Sequence, residues 1–187
     1  MHTFHKNTST LDPELLKTPF EVQTNWHVLT GAACTGKTTL VGLLSGQGFQ
    51  VLPESARDYF EQEQDQGLPI DQILADTFTL QYRIAELQVE YERRLHPETV
   101  AFLDRALPDS ISFFRYWGMD TSFILRKCFH YQYKSVFLLD RLPLHRDVVL
   151  GPEDEAASAF LDTWLERDYS TLGYHVVRVP PLPPAER

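Results

Sequence analysis

Short apolar runs alternate with longer amphipathic or polar segments along this chain of 187 residues. The runs WHVLT at 26–30, FQVL at 49–52, TVAFLD at 99–104, SVFLLD at 135–140 and YHVVRV at 174–179 read as β-strands, because each is brief and rich in β-branched or aromatic residues. Between them the spacing changes to that of helices. Residues 38–45 predict a helix ended by Gly46 and Gly48, and 54–61 predict a second. Residues 71–95 contain no proline or glycine and place Ile73, Leu74, Phe78, Ile84, Leu87 and Tyr91 at helical spacing, which predicts one long amphipathic helix that Pro97 ends. Two short helices follow at 109–117 and 121–132, either side of Gly118, and a last one at 153–172 closes on Gly173. Residues 141–152 read as a loop and PPLPPAER as extended chain. Residues 1–24 are polar and aperiodic and predict an N-terminal arm, with Thr10 capping a short helix whose first turn holds Pro13. The domain proper is then 25–187.

Strands that alternate with helices predict an α/β three-layer sandwich with a mainly parallel five-stranded sheet covered on both faces. In such a sheet the C-terminal ends of the strands share one edge, where ligands bind. Gly36, Glu54, Asp104 and Asp140 all fall just after predicted strands and should converge there.

The strongest chemical signal lies at that edge. GAACTGKT at 31–38 fits G-x-x-x-x-G-K-[ST], the phosphate loop of P-loop NTPases, with an apolar strand before it and a helix-forming run after it. Backbone N–H groups from Gly31, Ala32, Ala33, Cys34, Thr35, Gly36, Lys37, Thr38 and Thr39 can cradle phosphate, aided by the helix dipole. Lys37 would bridge the β- and γ-phosphates of ATP or GTP, and the Thr38 hydroxyl would meet Mg²⁺.

A Mg²⁺-nucleotide site also needs a carboxylate at the end of a neighbouring buried strand. Two runs end in Asp-Arg, and Asp104 is favoured over Asp140 because its strand should lie beside the strand entering the loop. The alternatives are a capping or turn aspartate at 104, and at 140 a turn residue paired with Arg141 or Arg146. Glu54 could accept a proton from a substrate hydroxyl or order an attacking water, or be only a first-turn glutamate favoured by the helix dipole. Arg57 could hold substrate or pair with Glu54, and Arg105 is the better substrate-binding candidate. Arg141 and Arg146 sit where mobile lids supply cations to a transferring phosphate.

Composition narrows the partners. A formal net charge of −9 makes nucleic acid a poor default partner. Two cysteines, Cys34 and Cys128, give no disulfide framework and fit a cytoplasmic setting, and no apolar run is long enough for a transmembrane segment. The histidines show no metal-ligand spacing. Within 115–134, however, Arg115, Arg126, Lys127, His130 and Lys134 interleave with aromatic residues. This basic-aromatic island reads either as amphipathic helices with snorkelling cations or as a site for an anionic partner such as an acidic lipid.

The motifs in their order, GAACTGKTTL, VLPESAR, AFLDRALPDSISFFRYWG, VFLLDRLPLHRD and LGYHVVRVPPLPPAER, resemble the AAA-type P-loop ATPase domain shared by NadR-like proteins, over residues 26–187. The resemblance implies a nucleoside- or nucleotide-kinase-like core in which Glu54, Arg57, Asp104, Arg105 and Asp109 line the second-substrate side. Where such relatives carry a D-G-x-R-like stretch in the lid, this chain has HRDVVLG at 145–151. The expected function is Mg²⁺-dependent binding of ATP or GTP with phosphoryl transfer to a small nucleoside-like acceptor, or hydrolysis, in which Lys37, Glu54 and Asp104 are the catalytic candidates. The alternative is a nucleotide-dependent switch that binds a protein or an acidic phospholipid.

Overall fold

The computed structural model describes residues 5–142 and 152–187. The strands among them are β1 (Val22–Gln23), β2 (Trp26–Thr30), β3 (Gln50–Leu52), β4 (Ala101–Asp104), β5 (Tyr131–Gln132), β6 (Ser135–Leu139) and β7 (Val176–Val179). The α-helices are α1 (Lys37–Gly46), α2 (Ser55–Asp65), α3 (Ile70–Ala75), α4 (Thr77–Arg94), α5 (Asp109–Tyr116), α6 (Ser122–Lys127) and α7 (Pro152–Thr171). β2, β3, β4, β6 and β7 form one parallel sheet in the order β3-β4-β2-β6-β7. The expected fold is therefore present, and β4 lies directly beside β2, with Leu29 opposite Asp104.

The period of two along each strand sorts the side chains between two apolar layers. Trp26 and Val28 on β2, Ala101 and Leu103 on β4, and Val136 and Leu138 on β6 enter the larger core with Ile111 and Phe114 of α5 and Leu165 and Tyr169 of α7. Leu29 and Leu139 point the other way and pack on Val41 of α1, with Leu40, Leu44, Phe137 and Val179 around them. Strands buried on both faces are what near-continuous apolar runs require in a parallel sheet.

Three local expectations change. The segment 71–95 is two helices, broken at Asp76, whose Oδ1 accepts from Thr79 N at 3.1 Å and whose Oδ2 accepts from Thr79 Oγ1 at 2.6 Å. That N-cap starts α4 anew without any proline or glycine. The helix expected to run to 132 stops at Lys127, and Tyr131–Gln132 instead pairs in parallel with Val22–Gln23 of the arm. The arm's helix is a single 3₁₀ turn, Leu15–Lys17, and Asp12 rather than Thr10 meets a free backbone N–H, that of Glu14 at 2.9 Å.

The arm is also held by the core. Asn7 N donates to Arg115 O at 2.8 Å, and Arg115 Nη1 donates to Ser9 O at 2.6 Å. Arg115 itself is buried on α5, where its Nε donates to Asp168 of α7 at 3.0 Å and its guanidinium lies 4.3 Å from the Trp164 ring. Ser112 Oγ donates to the other Asp168 oxygen at 2.9 Å.

Candidate active site

The phosphate loop leaves β2 and enters α1 with backbone that only certain residues tolerate. Gly31 has φ +143°, and a Cβ there would lie 2.7 Å from Leu139 O. Gly36 has φ +81° as the residue before α1. Both positions favour glycine for a physical reason, the first by space and backbone angle and the second by backbone angle. Cys34 takes φ +59° and is exposed. Two loop carbonyls are engaged from outside: Leu142 N donates to Cys34 O at 3.0 Å, and Arg187 Nη1 donates to Thr35 O at 2.6 Å. Arg187 also reaches the carbonyls of Asp140, Val179 and Pro180, so one guanidinium ties the loop to the ends of β6 and β7.

Lys37 is buried inside the loop. Its Nζ donates to Gly31 O at 2.9 Å, Ala32 O at 2.8 Å and Thr35 Oγ1 at 3.1 Å. Burial, and then the nearby Arg105 charge, lower its pKa to about 7, against the pull of Asp104, Glu54 and Asp109. Ala33, Thr38 and Thr39 are exposed around it, so the loop opens to solvent on that side.

Asp104 ends β4 next to the loop. Its Oδ2 lies 3.5 Å from Thr38 Oγ1, and its Oδ1 is buried with no hydrogen-bond partner among the described residues. Burial, and then Glu54, raise its pKa. A buried carboxylate oxygen left without a partner, beside a hydroxyl, suits a hard divalent cation. Among the described residues no three His, Cys, Asp or Glu side chains cluster as a self-sufficient metal site.

Arg105 is the hinge of the neighbouring wall. It holds φ +73°, unusual for a residue with a Cβ, and its N–H donates to Leu29 O at 3.0 Å. Its Nε donates to Glu54 Oε1 at 2.9 Å, its Nη1 to Asp109 Oδ1 at 3.1 Å, and its guanidinium lies 5.2 Å from the Phe113 ring. Burial alone would raise the pKa of Glu54, but the charge and hydrogen bond of Arg105 outweigh it and hold the carboxyl below its ordinary value. Asp109 is buried and accepts in addition from Thr30 Oγ1, Tyr169 OH and Ala106 N. It braces Arg105 and the start of α5, with its oxygens already occupied by protein donors.

Glu54 and Arg105 thus meet, whereas Arg57 lies exposed on α2 and joins Glu54 only through its charge. Arg141 Nη1 stands 3.7 Å from Glu155, and Arg146 lies outside the described residues. Asp140 pairs with Arg178 at 2.8 Å, a partner that the sequence reading, which offered Arg141 or Arg146, did not name. Arg115, Phe129 and Tyr133 of the basic-aromatic island are buried, so much of that island is core.

Two residues of α4 escaped the sequence reading. Gln88 Nε2 donates to Glu92 Oε1 at 2.9 Å and lies 3.5 Å from Arg105 O. Glu92 Oε1 accepts from Leu107 N at 3.0 Å and its Oε2 from Tyr133 OH at 2.9 Å. Together they support the turn that carries Arg105. The available signal was two polar residues at 88 and 92, four apart on a helix that has apolar neighbours on the same side.

A cavity of about 580 Å³ opens beside the loop. Ala33, Glu54 and Arg105 border it at the phosphate end, and Phe60, Leu80, Ile84, Phe113 and Trp117 are among the side chains farther in.

A loop-strand-carboxylate arrangement on a 2-3-1-4-5-type parallel sheet defines a P-loop protein with a nucleotide-kinase-like fold. Solved structures agree. Thymidylate kinase from Ehrlichia chaffeensis superposes with a TM-score of 0.59 at 13% identity, over 88% of this chain and 90% of that one. A NadR protein in complex with NR gives 0.57 at 20% identity, over 83% of this chain but only 43% of the NadR chain. Thymidylate kinase from Candida albicans gives 0.50 at 12% identity, over 87% and 86%. No curated protein matches the sequence significantly. The profile of an AAA-domain family matches residues 26–187, and the chain belongs to that family. No helix among the described residues is long and apolar enough to cross a membrane.

Proposed function

We propose that the protein is a P-loop enzyme that binds ATP or GTP with Mg²⁺ on residues 31–39 and transfers the γ-phosphoryl group to a hydroxyl of a small molecule in the adjoining cavity. The observation that carries this reading is the shared wall: Ala33 of the phosphate loop and the Glu54–Arg105 pair border one cavity, so an acceptor there would lie next to the γ-phosphate.

In this reading Lys37 leaves its carbonyl partners for the β- and γ-phosphate oxygens. Thr38 and Asp104 would hold Mg²⁺, which would supply charge neutralisation at the phosphates. The Glu54 carboxylate, kept ionised by Arg105, orients the acceptor O–H. The acceptor oxygen bonds to Pγ, the bond from Pγ to the β–γ bridging oxygen breaks, the diphosphate leaves with that electron pair, and the hydroxyl proton passes to Glu54 and then to solvent. Arg105 steadies Glu54 and, through it, the acceptor. Arg57, Arg141 and Arg146 remain candidates for contacts made only when the site closes.

The test is a thermal-shift titration with ATP, GTP and their diphosphates, with Mg²⁺ and with EDTA, followed by mass spectrometry for phosphorylated products over a panel of nucleosides and other small alcohols. A Mg²⁺-dependent shift with a triphosphate, together with a new phosphorylated product, is expected. A triphosphate consumed at the same rate with every acceptor and with none would replace transfer with hydrolysis.

A further inference from the structure

The segment PPLPPAER at 180–187 follows β7 and returns to the phosphate loop. It is stiff, because each proline ring fixes one backbone angle. Leu182 N donates to Pro180 O at 2.8 Å and Glu186 N to Pro183 O at 2.8 Å, and Pro184–Glu186 forms a 3₁₀ turn. Pro183 and Pro184 share the walls of a groove with Leu40 and Leu44 of α1 and Val179 of β7, which places the segment beside the helix that the loop enters.

The segment delivers Arg187 to the back of the loop. Its Nη1 donates to Thr35 O at 2.6 Å, its Nη2 to Asp140 O at 3.2 Å and to Val179 O at 3.4 Å, and its Nε to Pro180 O at 2.9 Å. The donors of a guanidinium lie in a fixed plane, so carbonyls from the loop and from the ends of β6 and β7 set its orientation together. A Cβ added at Gly36 would lie 3.2 Å from Arg187 Nη1, so the guanidinium sits against the bare face of that glycine. A trans peptide holds its C=O and its N–H on opposite sides. Holding Thr35 O toward Arg187 therefore turns the Gly36 N–H away from it. Leu142 N acts in the same way one residue earlier, since it donates to Cys34 O at 3.0 Å and so turns the Thr35 N–H. Two successive loop N–H groups are thus oriented from behind, and oriented N–H groups are what a phosphate nest consists of.

We infer that Arg187 is a positioning residue for triphosphate binding: it pins the Thr35–Gly36 peptide so that the Gly36 N–H faces the bound phosphate, and it does so without touching the nucleotide. The inference rests on the reading that residues 31–39 hold phosphate. The role needs the planar fork. A lysine at 187 would keep the charge, but its donors radiate from a single atom and cannot span the same carbonyls.

The test uses calorimetry on the full chain with AMP-PNP and with inorganic pyrophosphate, each with Mg²⁺, at a temperature where circular dichroism shows parent and variants folded. Arg187→Met and Arg187→Lys should each bind both ligands roughly tenfold or more weakly than the parent. A role in stability alone would move the melting temperature and leave these affinities in place. Amide NMR gives a second readout: saturating pyrophosphate should shift the Gly36 amide resonance strongly in the parent and by a smaller amount in the variants. Should Arg187→Met not fold, Arg187→Lys, which keeps the charge and a long stem, carries the same comparison. Affinities within about twofold of the parent would overturn the inference. So would a loss seen with AMP-PNP but not with pyrophosphate, which would put Arg187 against the base or sugar, or full affinity in Arg187→Lys, which would assign the effect to charge alone. An equal Gly36 shift in parent and variants would overturn it as well. Failure of the parent to bind either ligand would instead overturn the phosphate-loop reading beneath it.

Discussion

At the scale of single residues, the site depends on groups held in places that only a few side chains can occupy. Lys37 is the plainest case, since its ammonium sits within reach of three loop oxygens where phosphate oxygens would replace them. Lys37→Ala should lower triphosphate affinity or turnover by about a hundredfold or more, as expected when a charge-assisted contact to phosphate is lost. Gly31→Ala should lower both stability and nucleotide affinity, because the added Cβ would collide with Leu139 O at 2.7 Å and the backbone sits at φ +143°. A variant that melted and bound nucleotide like the parent would show that this part of the loop is free to move. Glu92 offers a pH signature. Burial raises its pKa from 4.5 to about 7, in spite of hydrogen bonds from Gln88, Tyr133 and Leu107. The folded protein therefore binds this proton more tightly than the unfolded chain does. Its contribution to stability is complete below pH 4.5 and is lost as pH rises through about 7. Urea midpoints measured across that window should fall with rising pH in the parent and fall less steeply in Glu92→Gln. Equal slopes would contradict the assignment.

At the scale of elements, the readable features were those with local causes. The five sheet strands, the loop between β2 and α1, and the Gly173 stop after α7 are each announced by neighbouring residues. The break at Asp76 was readable in principle, since D-T-F-T carries an N-cap aspartate three residues before the Thr79 that it binds, but a lone cap is a weaker mark than proline or glycine. Other features arise between distant segments and left no local trace. The β1–β5 pair joins the arm to residues after α6, and Arg115 finds Asp168 across a separation of 53 residues. That buried pair makes the docking of α5 on α7 sensitive to a single change. Arg115→Met strands the Asp168 carboxylate and should lower unfolding free energy by about 3–5 kcal/mol. A denaturant midpoint unchanged from the parent would mean that the pair contributes little to the docking. In the candidate site the division is the same. Lys37, Thr38, Asp104, Glu54 and Arg105 were visible from motif and strand-end position, whereas Gln88, Glu92 and Arg187 each reach a partner distant in sequence, 17, 15 and 152 residues away.

At the scale of the whole molecule, the sheet order β3-β4-β2-β6-β7 brings the phosphate loop, the Asp104 strand end and the Glu54 helix start to one edge, and the cavity lies against them. The fold and the AAA-domain family leave several chemistries open, because one fold hosts many reactions. The choice among them rests on a phosphate loop and a second cavity that share a wall. The most direct test follows the γ-phosphate itself. The protein is incubated with γ-labelled ATP or GTP, Mg²⁺ and the acceptor panel, beside Lys37→Ala, and the label is located by chromatography and mass spectrometry. The account predicts label on the hydroxyl of a small acceptor with the parent and none with Lys37→Ala. Label found only as inorganic phosphate, at a rate no acceptor changes, would contradict it.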